Sequence, residues 1–168
     1  TGIIAYTNTS DELKTAAQDK LFSLLESRKA TLHHYFYDIS NDVLFHAQSP
    51  AIRNALSAFS IAWTELGNSP TEQLQSAYVE QNPYADGQKS AFLQAKNDTH
   101  YDQVHAQYHP TFLNLTTLNH YHDLFLFDTQ GNLVYTVAKE PDFATNILTG
   151  EWPHTHLAST YMAIMNTT

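Results

Sequence analysis

Cysteine is absent from the 168-residue chain, and positive charge is scarce: 8 Lys and Arg stand against 17 Asp and Glu, for a formal net charge of −9. Without thiols there can be no disulfide, no thiolate nucleophile and no cysteine-based zinc site. The shortage of basic residues argues against nucleic acid, whose binding rests on clustered Lys and Arg. It argues equally against docking on an anionic membrane surface. No apolar run approaches the roughly 20 residues that span a bilayer. The P-loop, the dinucleotide fingerprint and the Gly-X-Ser-X-Gly elbow are all missing, so no catalytic frame is recognisable and an enzyme is not expected. There is no internal repeat. A cysteine-free acidic chain suits a bacterial periplasmic domain that needs no disulfide.

Hydrophobic residues make up 42% of the chain, which excludes wholesale disorder. The clearest pattern lies between His122 and Asn146. Leu124-Phe125-Leu126-Phe127 is a β-forming run, and Asp128-Thr129-Gln130-Gly131-Asn132 supplies turn chemistry with Gly131 at positive φ. Leu133 to Val137 runs back with β-branched and aromatic residues. Together these predict a β-hairpin over Asp123–Val137. The polar segment Ala138–Phe143 after it is expected to be exposed and placed to touch a ligand.

The rest reads as helix. Residues 1–10 are polar and expected to fray. From residue 11 to Gln48 there is no Pro or Gly, and Leu13, Ala17, Leu21, Leu24, Leu32, Tyr35, Ile39 and Val43 recur at spacings of three and four, with Arg28 interrupting the series. That is one long helix. Ser49-Pro50 opens a second helix with Ile52, Ala55, Leu56, Phe59, Ala62, Trp63 and Leu66 on its buried face. Thr71 is expected to cap a third. A fourth helical stretch is expected from Gln88, broken at Asn97–Thr99 and resuming through Tyr101, His105 and Phe112, with Pro110 near a kink. Residues 146–153 read as loop and His154–Met165 as a final helix. Residues 11–168 are thus expected to form one helix-rich α+β domain, helical over 11–120, with the hairpin and last helix over 121–168. A chain that starts at Thr1 and stops at Thr168 reads as a piece of a longer protein.

Candidate chemistry is spread over aromatic and ionisable groups. Trp63, Tyr101, Tyr121 and Tyr135 pair an apolar body with a polar tip, which suits small-ligand pockets, although simple core packing is the plainer reading of each. Lys139 and Asp142 follow the second strand, where Lys139 could hold a carboxylate and Asp142 an amine. His105 could close the pocket from the helices, and Asp123 enters the first strand. His105 and His109 are four apart on one helix, a spacing that can hold a metal. Position 106 is Ala rather than the Glu of zincins, and no third ligand stands at an obvious spacing, so packing and hydrogen bonding is the plainer reading there too.

The segments Ser49–Leu56, Ala62-Trp63, Leu74–Tyr78, Tyr121–Asp128, Gly131–Tyr135 and Lys139-Glu140 through Asp142-Phe143 resemble the extracytoplasmic sensor region of bacterial methyl-accepting chemotaxis receptors. The resemblance covers most of the chain from about residue 20. It implies a long membrane-proximal helix leading into a PAS-like, Cache-type α/β fold that binds a small molecule and carries no cofactor. It also implies a homodimer through the first helix and a place in the periplasm on an inner-membrane protein. Similar regions precede nucleotide cyclases and histidine kinases, so the output is left open. Such a domain continues after the final helix with further strands, which this sequence lacks.

Overall fold

In a computed structural model, the structure describes residues 2–167, with side chains described from Glu12 to Thr167. The fold is helix-rich α+β: 62% of the chain is helical, and the sheet is a single two-stranded antiparallel ladder. The chain divides into two units, Thr1–Ser49 and Pro50–Thr168.

The first unit is helix α1, Gly2–Gln48. No proline or glycine interrupts it after Gly2, so nothing stops the i to i−4 ladder. The fraying expected over residues 1–10 falls on residues whose side chains lie outside those described. From Glu12 onward every α1 residue is exposed except Ile39 and His46, which are half-buried. Leu13, Leu21, Phe22, Leu32, Phe36 and Phe45 each keep more than half of their surface open. Phe22, Phe36 and Phe45 extend the apolar character beyond the predicted stripe. No helix among the described residues is long and apolar enough to cross a membrane.

The second unit has a true core. Helix α2, Pro50–Glu65, starts on Pro50 as expected, and Ala55, Phe59, Ala62 and Trp63 are its buried face. Phe59 is the hub, with its ring 4.7 Å from Tyr135, 5.4 Å from Tyr101 and 6.1 Å from Tyr108. Helix α3, Pro70–Gln75, begins one residue before the expected Thr71 cap. Ser69 sits at the cap in a left-handed conformation and makes no side-chain cap bond, and Pro70 needs no amide partner. A five-residue π-helix, Ser76–Glu80, carries on from α3 and aims Tyr78 into the core.

The helical stretch expected from Gln88 does not form. Only a 3₁₀ turn, Lys89–Ala91, precedes non-helical chain to Thr99. This segment instead spends its carbonyls on the next helix: Ser90 and Leu93 accept from His109 and His105. Helix α4, His100–Asn119, opens on a capping box in which Thr99 and Asp102 satisfy each other's amides. Pro110, expected near a turn or kink, lies inside the continuous helix. Pro110 is exposed, while His109 and Phe112 beside it are buried.

Strands β1, Phe125–Phe127, and β2, Leu133–Thr136, form the predicted hairpin. Asp128 Oδ1 accepts from the amides of Gln130 and Asn132 across the turn, and Gly131 takes φ 85°. The register steps from Leu126↔Tyr135 to Phe127↔Leu133, leaving Val134 as a bulge. Its carbonyl accepts from the Tyr101 hydroxyl at 2.6 Å, so the bulge bonds the hairpin to α4. Helix α5, His156–Met165, starts two residues later than expected because Thr155 caps it by accepting from the Ala158 amide.

Candidate functional site

The second strand carries the chain into the interior rather than out to solvent. Thr136, Val137, Lys139, Phe143 and Ala144 are all buried; of the segment expected to be exposed, only Glu140 and Pro141 are fully so. Two non-glycine residues in left-handed backbone bracket this turn, Lys139 at φ 57° and Ala144 at φ 62°. The Lys139 amide donates to Thr136 Oγ1 at 3.0 Å, which fixes the reversal. From α3, Gln75 Nε2 donates to the carbonyls of Pro141 and Phe143 at 2.9 and 3.0 Å. Strain held in place by surrounding bonds is a common feature of functional loops.

Lys139 is fully enclosed. Its Nζ lies 3.2 Å from the Val137 carbonyl and 3.3 Å from His109 Nε2, and no described carboxylate pairs with it. Burial pushes its amine down to about 7, against the opposing pull of Asp123. The His105 and His109 rings stack with centroids 4.5 Å apart. His105 Nδ1 donates to the Leu93 carbonyl at 2.6 Å, and its Nε2 is buried with no protein partner. His109 Nε2 donates to the Ser90 carbonyl at 2.7 Å, and its Nδ1 accepts from the Tyr135 hydroxyl at 2.6 Å. Burial, then the Lys139 charge, hold His105 well below the usual range and His109 at about 4.

The predicted site residues divide into four groups. Tyr101, His105, Tyr135 and Lys139 come together in one buried cluster, with Trp63 in the same core. Asp123 serves the fold: its Oδ1 accepts from the amides of Leu124, Val137 and Ala138 at 2.6, 2.8 and 3.0 Å, pinning the open end of the hairpin. Its carboxyl is nevertheless raised, because burial outweighs those three bonds. Asp142 is half-buried, and its Oδ1 is enclosed without a partner. Tyr121 lines a cavity of about 360 Å³. Other walls of that cavity are Ser90, Val137, Ala138 and Glu140, the immediate chain neighbours or bonding partners of Lys139 and His109. The volume lies at the small end of ligand pockets.

The metal alternative at His105 and His109 gains no support. The stacked rings send their bonded nitrogens to different partners, and no group of three or more candidate ligands occurs among the described residues. Sequence reasoning missed the Tyr78–Asp102 bond at 2.7 Å and the Gln75 clamp. Their partners lie 24 and 68 residues apart, and no local spacing signals either one. Comparison with protein-family models, with curated proteins and with solved structures gives no match.

Proposed function

We propose that the chain is the extracytoplasmic small-molecule-sensing domain of a bacterial transmembrane chemoreceptor, lying in the periplasm and built on a PAS/Cache-like plan. The observation that carries this reading is the turn at 139–144. It holds an enclosed amine without a paired carboxylate and an enclosed carboxylate oxygen without a donor, next to a cavity of about 360 Å³. Unbalanced polar groups in a core are costly unless a partner completes them. A ligand entering past Tyr121 and Glu140 and displacing the turn would meet Lys139 with a carboxylate and Asp142 with an amine. His105 Nε2 offers a further acceptor.

The resemblance of Tyr121–Asp128, Gly131–Tyr135 and Lys139–Phe143 to the sensor region of chemotaxis receptors supports the same reading. So does α1. Its apolar stripe between Leu13 and Leu32 runs for about 30 Å at 1.5 Å per residue and is exposed throughout. A parallel homodimer through that stripe would cover it, and small shifts along so long a helix would carry the signal. The test is a chimera with this chain between the membrane spans of a receptor of known output. A response to a small amine- or carboxylate-bearing compound, lost in Lys139→Ala, is the expected result. A functional chimera that answers such compounds equally well with Lys139→Ala would remove the basis of the reading.

A further inference from the structure

Lys139 is the one lysine among the described residues whose side chain is fully buried, and its surroundings on every side can be named. From α4 it faces His109, with His105 stacked behind and Nε2 unpartnered. From β2 comes the Tyr135 hydroxyl, already donating to His109. Before β1 stands Asp123, one oxygen of which is occupied by three backbone amides. On its own turn are Glu140, exposed and 3.9 Å from His122, and Asp142 with Oδ1 enclosed and unpartnered. Beyond His105 lie the Tyr78 ring and the Asp102 carboxylate that accepts from it. Among the described residues the groups bonded to Nζ are neutral: one carbonyl and one imidazole.

The two protonation states therefore ask for different surroundings. A neutral amine needs no counter-charge; it can donate to Val137 and share the N–H of His109 Nε2. An ammonium brings three donors and a full charge to a place with no anion bonded to it. Among the described residues the carboxylate whose charge acts on the amine is that of Asp123, and its Oδ1 is already taken by three amides. We propose that the protonation state of the Lys139 amine sets the position of the 139–144 turn, so that the compact unit reads pH. Gaining the proton leaves an ammonium bonded only to a carbonyl and an imidazole and unsettles the turn; losing it leaves the arrangement held by Gln75 and Thr136. Burial places the change near neutrality, since it brings the amine down to about 7. The inference goes beyond the small-molecule reading, because it needs no organic ligand and would survive the failure of every ligand screen.

The test is nuclear magnetic resonance on the whole chain, without ligand, from about pH 5 to about pH 10. The Lys139 Cε–Hε signal is assigned through bonds from its own amide, so no variant has to fold for the result to count. The expected outcome is a Lys139 midpoint within about one unit of 7 while exposed lysines titrate near their usual value of about 10.4. The amides of residues 139–144 other than Pro141 should shift with the same midpoint, and Lys139→Met should lose it. A Lys139 midpoint in the ordinary lysine range overturns the proposal. So does a midpoint near 7 with the 139–144 amides unmoved.

Discussion

Replacing Asp123 by Ala should unfasten the open end of the hairpin. One carboxylate oxygen accepts from three backbone amides, those of Leu124, Val137 and Ala138, all at 3.0 Å or less. Hydrogen bonds to a charged group contribute about 1.5–3 kcal/mol each when measured singly. They share one oxygen and cannot add in full. Burial also raises the Asp123 carboxyl, so part of the gain is offset by the cost of enclosing the charge. The net loss should be about 3 kcal/mol, large against a total stability of about 5–15 kcal/mol. Asp123→Asn keeps the accepting oxygen and sheds the charge, so it should lose about 1 kcal/mol or less. Urea unfolding followed by circular dichroism gives both differences. Hydrogen exchange should show the Val137 and Ala138 amides opening in the Ala variant while the α4 amides stay protected. A loss below about 1 kcal/mol for Asp123→Ala, or Asn as damaging as Ala, would show that the clamp is not what holds these strands.

Other expectations follow from the same core. Phe59→Ala removes the ring around which Tyr101, Tyr108 and Tyr135 pack, and should cost about 3–5 kcal/mol in denaturant unfolding. Lys139 has a depressed folded value of about 7 against an ordinary 10.5, so the native state binds fewer protons than the unfolded one between those limits. Stability should rise with pH across that window by up to about 4–5 kcal/mol, and Lys139→Met should flatten the rise in unfolding curves taken at several pH values. His109, lowered from 6.5 to about 4, works at the acid end: stability should fall by up to about 3 kcal/mol as pH drops from 6.5 to 4, and less in His109→Gln. At Gly150 an added Cβ would sit 2.6 Å from the Asn146 carbonyl, so Gly150→Ala should displace the 146–150 turn, visible as changed amide shifts there.

The elements most legible in the sequence were those with a local cause. An uninterrupted stretch without Pro or Gly became α1, and Asp128–Asn132 with Gly131 became the hairpin turn. What stayed hidden was decided by distant partners. The residues after Gln88 have a helical pattern, yet their carbonyls serve His105 and His109 and the chain stays open. Lys139 looked like a surface residue because polar neighbours surround it in sequence; a left-handed turn and the Gln75 clamp put it inside. Four of the candidate site residues, Tyr101, His105, Tyr135 and Lys139, do converge, but as a buried cluster beside a cavity rather than as its lining. Asp123 was legible as a residue of interest and not as a structural clamp, since its amide partners lie as far as 15 residues away.

The central claim is that the turn at Lys139 and Asp142 receives a small ligand. Its most direct measurement is a thermal-shift screen of small amines, carboxylates and amino acids, with each hit carried into calorimetry on the parent, Lys139→Ala and Asp142→Ala. The account predicts that both variants fold and that each binds the hit at least about tenfold more weakly, the loss of one hydrogen-bonded charge contact. A hit that binds both folded variants as tightly as the parent would place the site elsewhere and contradict the account.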